Sequence, residues 1–134
     1  MPPIMTKGGG LCFGFPDVCL VPASPSPVPT PFLNIGDCTI AEGTVSKVRI
    51  ENAEVLVETS VLPSSTGDEA GTLGGVISGT FGGCVKFKTA SAKVYARGKR
   101  AVLLNGVSAH NGDPPNVPVG QVLVPSQIRV IASS

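Results

Sequence analysis

The chain of 134 residues contains no tryptophan, one tyrosine and one histidine, and aromatic residues make up only 4% of it. Large rings therefore cannot dominate the core, and small aliphatic side chains must fill it. Charged residues are also scarce, at 14% with a formal net charge of +1. That excludes a basic field for nucleic acid and a polybasic stripe for an anionic membrane surface. Apolar residues come in short groups, far below the ~20 in a row that a membrane-spanning helix needs. The opening stretch MPPIMTKGGG lacks the apolar centre of a secretory leader, which implies synthesis in a reducing cytoplasm. In that compartment Cys12, Cys19, Cys38 and Cys84 are expected as thiols or metal ligands rather than disulfide partners.

What is present is apolar and rich in chain breakers. Hydrophobic residues reach 42% and the mean hydropathy is +0.31, which argues against disorder and for one modest core. Seventeen glycines and 13 prolines exclude a helix-rich domain and leave short strands joined by many turns. Residues 1–11 read as a flexible arm. From Pro22 to Pro31 the text PASPSPVPTP places proline at nearly every second position, which favours an extended polyproline strap. Its flanks, CFGFPDVCLV and FLNIG, are apolar enough to be buried, so the strap should lie on the folded body.

From residue 44 onward the text alternates with period two. SKVRIENAEVLVET sets Val48 and Ile50 against Arg49 and Glu51, and similar text follows around Val85, Phe87, Val122 and Val124. Val48, Val85 and Val122 are 37 residues apart, then 37 again. Each opens a triplet (VRI, VKF, VLV) followed after a polar gap by a second (VLV, VYA, VIA). The spacing predicts three equivalent hairpins and a pseudo-threefold body. Each hairpin follows a glycine-rich loop, at 34–43, 71–83 and 105–120, and threefold convergence would bring these loops to one end and the polar hairpin turns to the other.

The blocks CFGFPDVCLVPASPSPVPTPFLNIG, SSTGDEAGTLGGVISGTFGG, VYARGKRAVLLNG and PSQIRVI resemble the PAAR-like family of type VI secretion proteins. The resemblance spans about residues 11–131. It implies an all-β, small conical, pseudo-threefold domain covering residues 1–134, with residues 1–43 as arm, strap and first tip loop and 44–134 as three hairpin repeats. It further implies a spike tip that caps a trimeric valine-glycine repeat spike, sharpens it for membrane puncture and helps carry effector toxins. The chain would be made in the cytoplasm and exported on the spike, touching a target membrane only in passing. An adaptor that loads a separate toxin, or the tip of a related phage-like contractile injector, are the alternative implications.

Family members proper often hold zinc near the apex through several histidines and cysteines, whereas this chain supplies one histidine. Cys38, Cys84 and His110 lie in or beside the glycine loops, and Cys19 ends the PDVC motif. The ligand set for Zn2+ is accordingly Cys19, Cys38, Cys84 and His110, with Cys12 as substitute for Cys19. Two readings stand beside it: His110 as a solvent-exposed loop residue with the cysteines as small buried hydrophobes, and a Cys12–Cys19 disulfide formed after export. A Cys84 or Cys12 nucleophile with His110 as base is a weaker pattern, because no helical text is present to lower a thiol pKa. Asp68 and Glu69 in TGDEAG read as turn or rim residues. Lys86, Lys88, Lys93, Arg97, Lys99 and Arg100 form a basic outer face. The base that meets the spike is expected at the hairpin turns, through Glu51, Asn52 and Glu54, then Thr89, Ser91 and Lys93, then Gln127, Ile128 and Arg129.

Overall fold

The computed structural model describes residues 2–23 and 25–132. The fold is all-β, with no α-helix among the described residues. It comprises β1 (Leu11–Val21), β2 (Val28–Asp37), a 3-10 turn (Cys38–Ile40), β3 (Val45–Ile50), β4 (Ala53–Val55), β5 (Val61–Leu62), β6 (Val85–Phe87), β7 (Tyr95–Ala96), β8 (Lys99–Arg100), β9 (Val107–His110) and β10 (Val117–Val124). Six strands form one antiparallel sheet in the order β2-β1-β10-β9-β6-β5, while β3–β4 and β7–β8 are separate two-stranded ribbons.

The proline-rich segment lies on the folded body, as its apolar flanks predict, and from residue 28 onward it does so as a sheet strand. Residues 28–37 pair with β1 along their whole length, with Pro29 opposite Leu20 and Pro31 opposite Val18. Prolines two apart share one side of a strand, so their missing N–H groups fall together on the unpaired outer edge. Such an edge also resists the addition of further strands.

The pseudo-threefold relation is present, though not where the 37-residue spacing puts it. Three short segments close a ring through their backbones: Met5 N–H donates to Val102 O (2.8 Å), Val102 N–H to Leu56 O (3.1 Å) and Leu56 N–H to Met5 O (3.0 Å). Bridges Ile4–Leu103, Thr6–Val55 and Val57–Ala101 flank that ring. Met5, Leu56 and Val102 are fully buried and join Cys12, Cys38, Leu62, Val85 and Val122 in the main apolar core. Residues 1–11 are thus not a flexible arm, since their described part supplies one side of the ring.

A second apolar cluster draws on all three ribbons that surround the ring. It contains Val45 and Val55 of the first, Ala96 and Ala101 of the second, and Ile4 and Ala132 of a third that pairs residues 2–4 with 130–132. The first ribbon turns at Glu51 and Asn52 (φ 50° and 66°) and the second at Arg97 and Gly98 (φ 55° and 81°). Both are two-residue loops with positive φ at each central position, the geometry that matches the twist of a hairpin.

Of the three hairpins expected from the sequence, only the first forms, with Arg49 and Ile50 of VRI opposite Glu54 and Ala53, and Val55 of VLV opposite Val45. VKF in β6 pairs instead with β5 and β9, and VYA folds back on Lys99 and Arg100. VLV in β10 pairs with β1 and β9, and the segment with VIA pairs with Pro3 and its neighbours. Val48 is exposed while Val85 and Val122 are fully buried, so the equal spacing marks no structural equivalence.

Candidate functional site: a buried polar cluster

Asp17, Cys19, Asn34, Asp68, Ser108, His110 and Asn111 are all fully buried, and Asn116 nearly so. The first two are carried inward by a break in strand register. In β1 the inward positions are Cys12 and Gly14, and the pairing with β2 slips between Gly14 and Asp17. The one extra residue exchanges the two faces of the strand, so Asp17 and Cys19 point inward where simple alternation would turn them out. Asn34 comes from the first glycine-rich loop and Ser108, His110, Asn111 and Asn116 from the third, while Asp68 just precedes the second, which reaches the cluster through Gly82 N–H and the Thr80 hydroxyl.

Asp17 is the hub. Its Oδ1 accepts from Asn111 Nδ2 (3.0 Å), from Asn116 Nδ2 and from the Cys19 thiol (3.5 Å), and its Oδ2 accepts from Asn34 Nδ2 (3.2 Å). Asp68 Oδ1 accepts from Gly82 N–H (2.9 Å), and its Oδ2 accepts from Asn34 Nδ2 (3.4 Å). His110 extends the network: its Nδ1 meets Asn34 Oδ1 and its Nε2 meets Ser108 Oγ, both at 2.7 Å. Because Asn34 Oδ1 can only accept, Nδ1 carries the proton and Nε2 accepts from the serine hydroxyl.

Glycine makes the space. A Cβ on Gly14 would come within 2.8 Å of the imidazole, and one on Gly120 within 2.6 Å. A Cβ on Gly71 would meet Cys19 Cβ at 2.3 Å, and one on Gly75 would meet the Asn116 amide at 2.3 Å. Glycine-flanked polar residues in otherwise apolar strands are the sequence signal of this cluster.

Burial shapes the charges. It pushes Asp68 up to about 6, helped by its hydrogen bond to Asp17 and by that neighbour's charge. It acts against ionised Asp17 too, but bonds from Asp68, Asn116, Asn111 and Cys19 outweigh it and hold that carboxyl below its ordinary range. Burial, then the charge of Asp17, pushes the Cys19 thiol up to about 12. His110 is driven down to about 4 by burial, which the charge of Asp17 only partly opposes, so the ring is neutral at pH 7.

The four residues expected to ligate zinc are not assembled. Cys19 and His110 belong to the cluster, but Cys38 lies in the apolar core with its Sγ 3.9 Å from that of Cys12. Cys84 is half-buried and belongs to no potential metal-binding group among the described residues. Where the sequence suggests an exposed loop histidine, His110 is a buried strand residue. No cysteine hydrogen-bonds to its ring, so the nucleophile–base pair is not formed either. Cys12 and Cys19 share one strand, roughly 20 Å apart at ~3.3 Å per residue, which rules out a bond between them. Any disulfide formed within the fold should join Cys12 to Cys38; peptide mapping after diamide oxidation should recover that pair and no Cys12–Cys19 peptide.

The group whose spacing could hold a metal ion is Asp17, Cys19 and Asp68, with ligand atoms all within 4.8 Å of one another. Of these the sequence points only to Cys19 as a ligand: Asp68 sits in text that reads as a turn or rim, and Asp17 carries no ligand signal. Glu69 does take the turn role, accepting from Gly67 N–H at 2.9 Å. The donors fit a resident ion poorly, because among the described residues every buried side-chain nitrogen and oxygen, those of Asp17 and Asp68 included, already has a hydrogen-bond partner.

At the expected base, Asn52 is exposed in its turn, and Glu51 lies beside it in an ion pair with Arg129 at 3.2 Å that joins the first and third ribbons. Glu54 is turned to Thr44 Oγ1 (2.6 Å) and Arg49. Ile128 is 76% exposed, whereas Gln127 is buried and caps its own turn through Arg129 N–H and Val130 N–H. Thr89 Oγ1 accepts from Val107 N–H, and Lys93 is exposed. Ser91 is fully buried, its hydroxyl accepting from Lys93 N–H and Val94 N–H, so it cannot face a partner. The ribbon end of the second unit is Arg97–Gly98 rather than residues 89–93.

Searches among curated proteins and among solved structures return no significant match. A family model described as the Toxin PAAR-like domain matches residues 10–117, the span that holds the β1–β2 hairpin, the main sheet up to the start of β10 and the whole polar cluster. With most of its length accounted for in this way, the chain belongs to the Toxin PAAR-like domain family.

Proposed function

We propose that this chain is a structural spike-tip protein, which caps the trimeric valine-glycine repeat spike of a type VI secretion system and travels with it out of the cell. The observation that carries the reading is the three-sided ring with one ribbon on each side. A single chain with pseudo-threefold symmetry can offer three similar contacts to a true trimer. The docking face is built on the ribbon ends at Glu51–Asn52, Arg97–Gly98 and Ile128–Arg129. Shape and rigidity do the work: two apolar clusters and a satisfied polar cluster leave little to yield under load, and no step of chemistry is required.

The adaptor reading is favoured by a different feature. Phe15, Val76, Ile77 and Val119 are all more than half exposed and belong to none of the ribbon ends. Apolar surface of that kind suits contact with a carried effector, and the two roles are compatible.

The test is binding of the trimeric spike by a double variant, Ile128→Asp with Arg97→Glu. Both side chains are exposed, so the fold should persist with an unchanged melting curve. Affinity should fall at least about tenfold, the loss expected when anchor side chains at an interface are reversed in character. Equal affinity for variant and wild type would remove these ribbon ends from the docking face.

A further inference from the structure

The resemblance to PAAR proteins implies a metal staple where the loops converge, yet the ligand atoms in this chain are committed elsewhere. We propose that the buried carboxylate of Asp17, caged by the side-chain amides of Asn34, Asn111 and Asn116, ties the converging loops together without a metal ion. This goes beyond the spike-tip reading and does not depend on it.

Each amide is fixed in orientation by partners on its far side. Asn111 Oδ1 accepts from Gly83 N–H (2.9 Å) and from the Thr80 hydroxyl (3.3 Å). Asn116 Oδ1 accepts from Ile77 N–H (2.9 Å) and Ser78 N–H (3.3 Å). Asn34 Oδ1 accepts from His110 Nδ1–H. Turning Asn111 or Asn116 would set a carbonyl against the Asp17 carboxylate and an NH2 against an N–H donor, and turning Asn34 would set its carbonyl against the carboxylates of both Asp17 and Asp68. All three Nδ2 groups therefore face Asp17, and both of its carboxylate oxygens already accept from an amide N–H, which a cation would have to displace.

The cage also has the connectivity that a staple needs. Asp17 lies on β1 and Asn34 on β2, Asn111 follows β9, and Asn116 precedes β10. Through Thr80, Gly83, Ile77 and Ser78 the amides hold the 71–84 segment as well. Asn116 Nδ2 donates in addition to Val18 O (2.9 Å), and Asn111 Nδ2 to Thr80 O (2.9 Å). One carboxylate thus joins five stretches of chain that a tetrahedral ion would reach with four ligands. Hydrogen bonds to an ionised acceptor are about twice as strong as neutral ones, and several converging N–H groups stabilise a buried carboxylate.

The experiment uses the full chain purified without a histidine tag or chelator. Elemental mass spectrometry should find no stoichiometric metal, and Tm should be unchanged by EDTA or by a modest excess of zinc. About one zinc per chain, with Tm lowered by EDTA, would overturn the proposal. Asn116→Asp replaces a donor by a carboxylate of the same shape and should lower Tm by roughly 10 °C or more. An Asn116→Asp protein as stable as wild type would equally overturn it. The metal content and chelator response of wild type decide the question even where the variant is too unstable to purify.

Discussion

Met5→Ala is expected to lower the stability of the folded chain by about 2–5 kcal/mol, the range for cutting a large buried aliphatic side chain back to alanine. Met5 is fully buried, and its backbone supplies both a donor and an acceptor to the ring with Leu56 and Val102. The truncation would leave a cavity at the meeting point of three chain segments, where none can move inward without breaking its bonds to the other two. For a domain of this size 1 kcal/mol corresponds to a few degrees, so Tm should fall by roughly 10 °C. Lys7→Ala, two residues on and half-buried, should change it little. Urea unfolding with an unchanged m-value measures the difference. A loss below about 1 kcal/mol would mean that the N-terminal segment does not close the ring, and the flexible-arm reading would stand.

The sequence carried the fold class well, because period-two apolar text and abundant turn residues report local geometry. It carried the pairing poorly. A strand such as VKF looks the same whether its partner is the next strand or one twenty residues away, and only tertiary contact decides. The regular 37-residue spacing drew VKF and VLV into hairpins, whereas the true ring joins Met5, Leu56 and Val102, which share no recurring motif. The site was half legible. Glycine loops that converge, with Cys19 and His110 brought to one site, follow from the text, but the burial of His110 in a strand does not. Asp17 did not, because its inward orientation depends on a register slip between Gly14 and Asp17 that exchanges the faces of β1. Nor did the asparagines: read singly, Asn34, Asn111 and Asn116 are ordinary turn residues, and only the fold aims three amides at one carboxylate.

Opposite pH dependences are expected from His110→Gln and Asp68→Asn. His110 titrates near 4 in the folded chain against an ordinary 6.5. As pH falls from 6.5 to 4 the unfolded chain takes up a proton that the folded chain refuses, and stability should drop by about 3 kcal/mol from this group alone. Asp68 works the other way. Its folded pKa of about 6 lies above the ordinary 3.8, so its contribution is complete below that lower value and is lost as pH rises through 6. The two slopes overlap between pH 4 and 6 and oppose one another, which leaves wild type nearly flat there. Asp17, held below its ordinary range, loses its contribution only at pH values more acid than this window. Removing His110 should expose the Asp68 slope, so that the variant gains stability on acidification. Asp68→Asn keeps an acceptor for Gly82 N–H and a donor toward Asp17, and should expose the His110 slope, losing stability over the same range. Urea midpoints at pH 4, 5, 6 and 7 read both slopes directly. Slopes of the same sign in the two variants would mean that His110 and Asp68 are not buried in these charge states, and that the polar cluster is open to water.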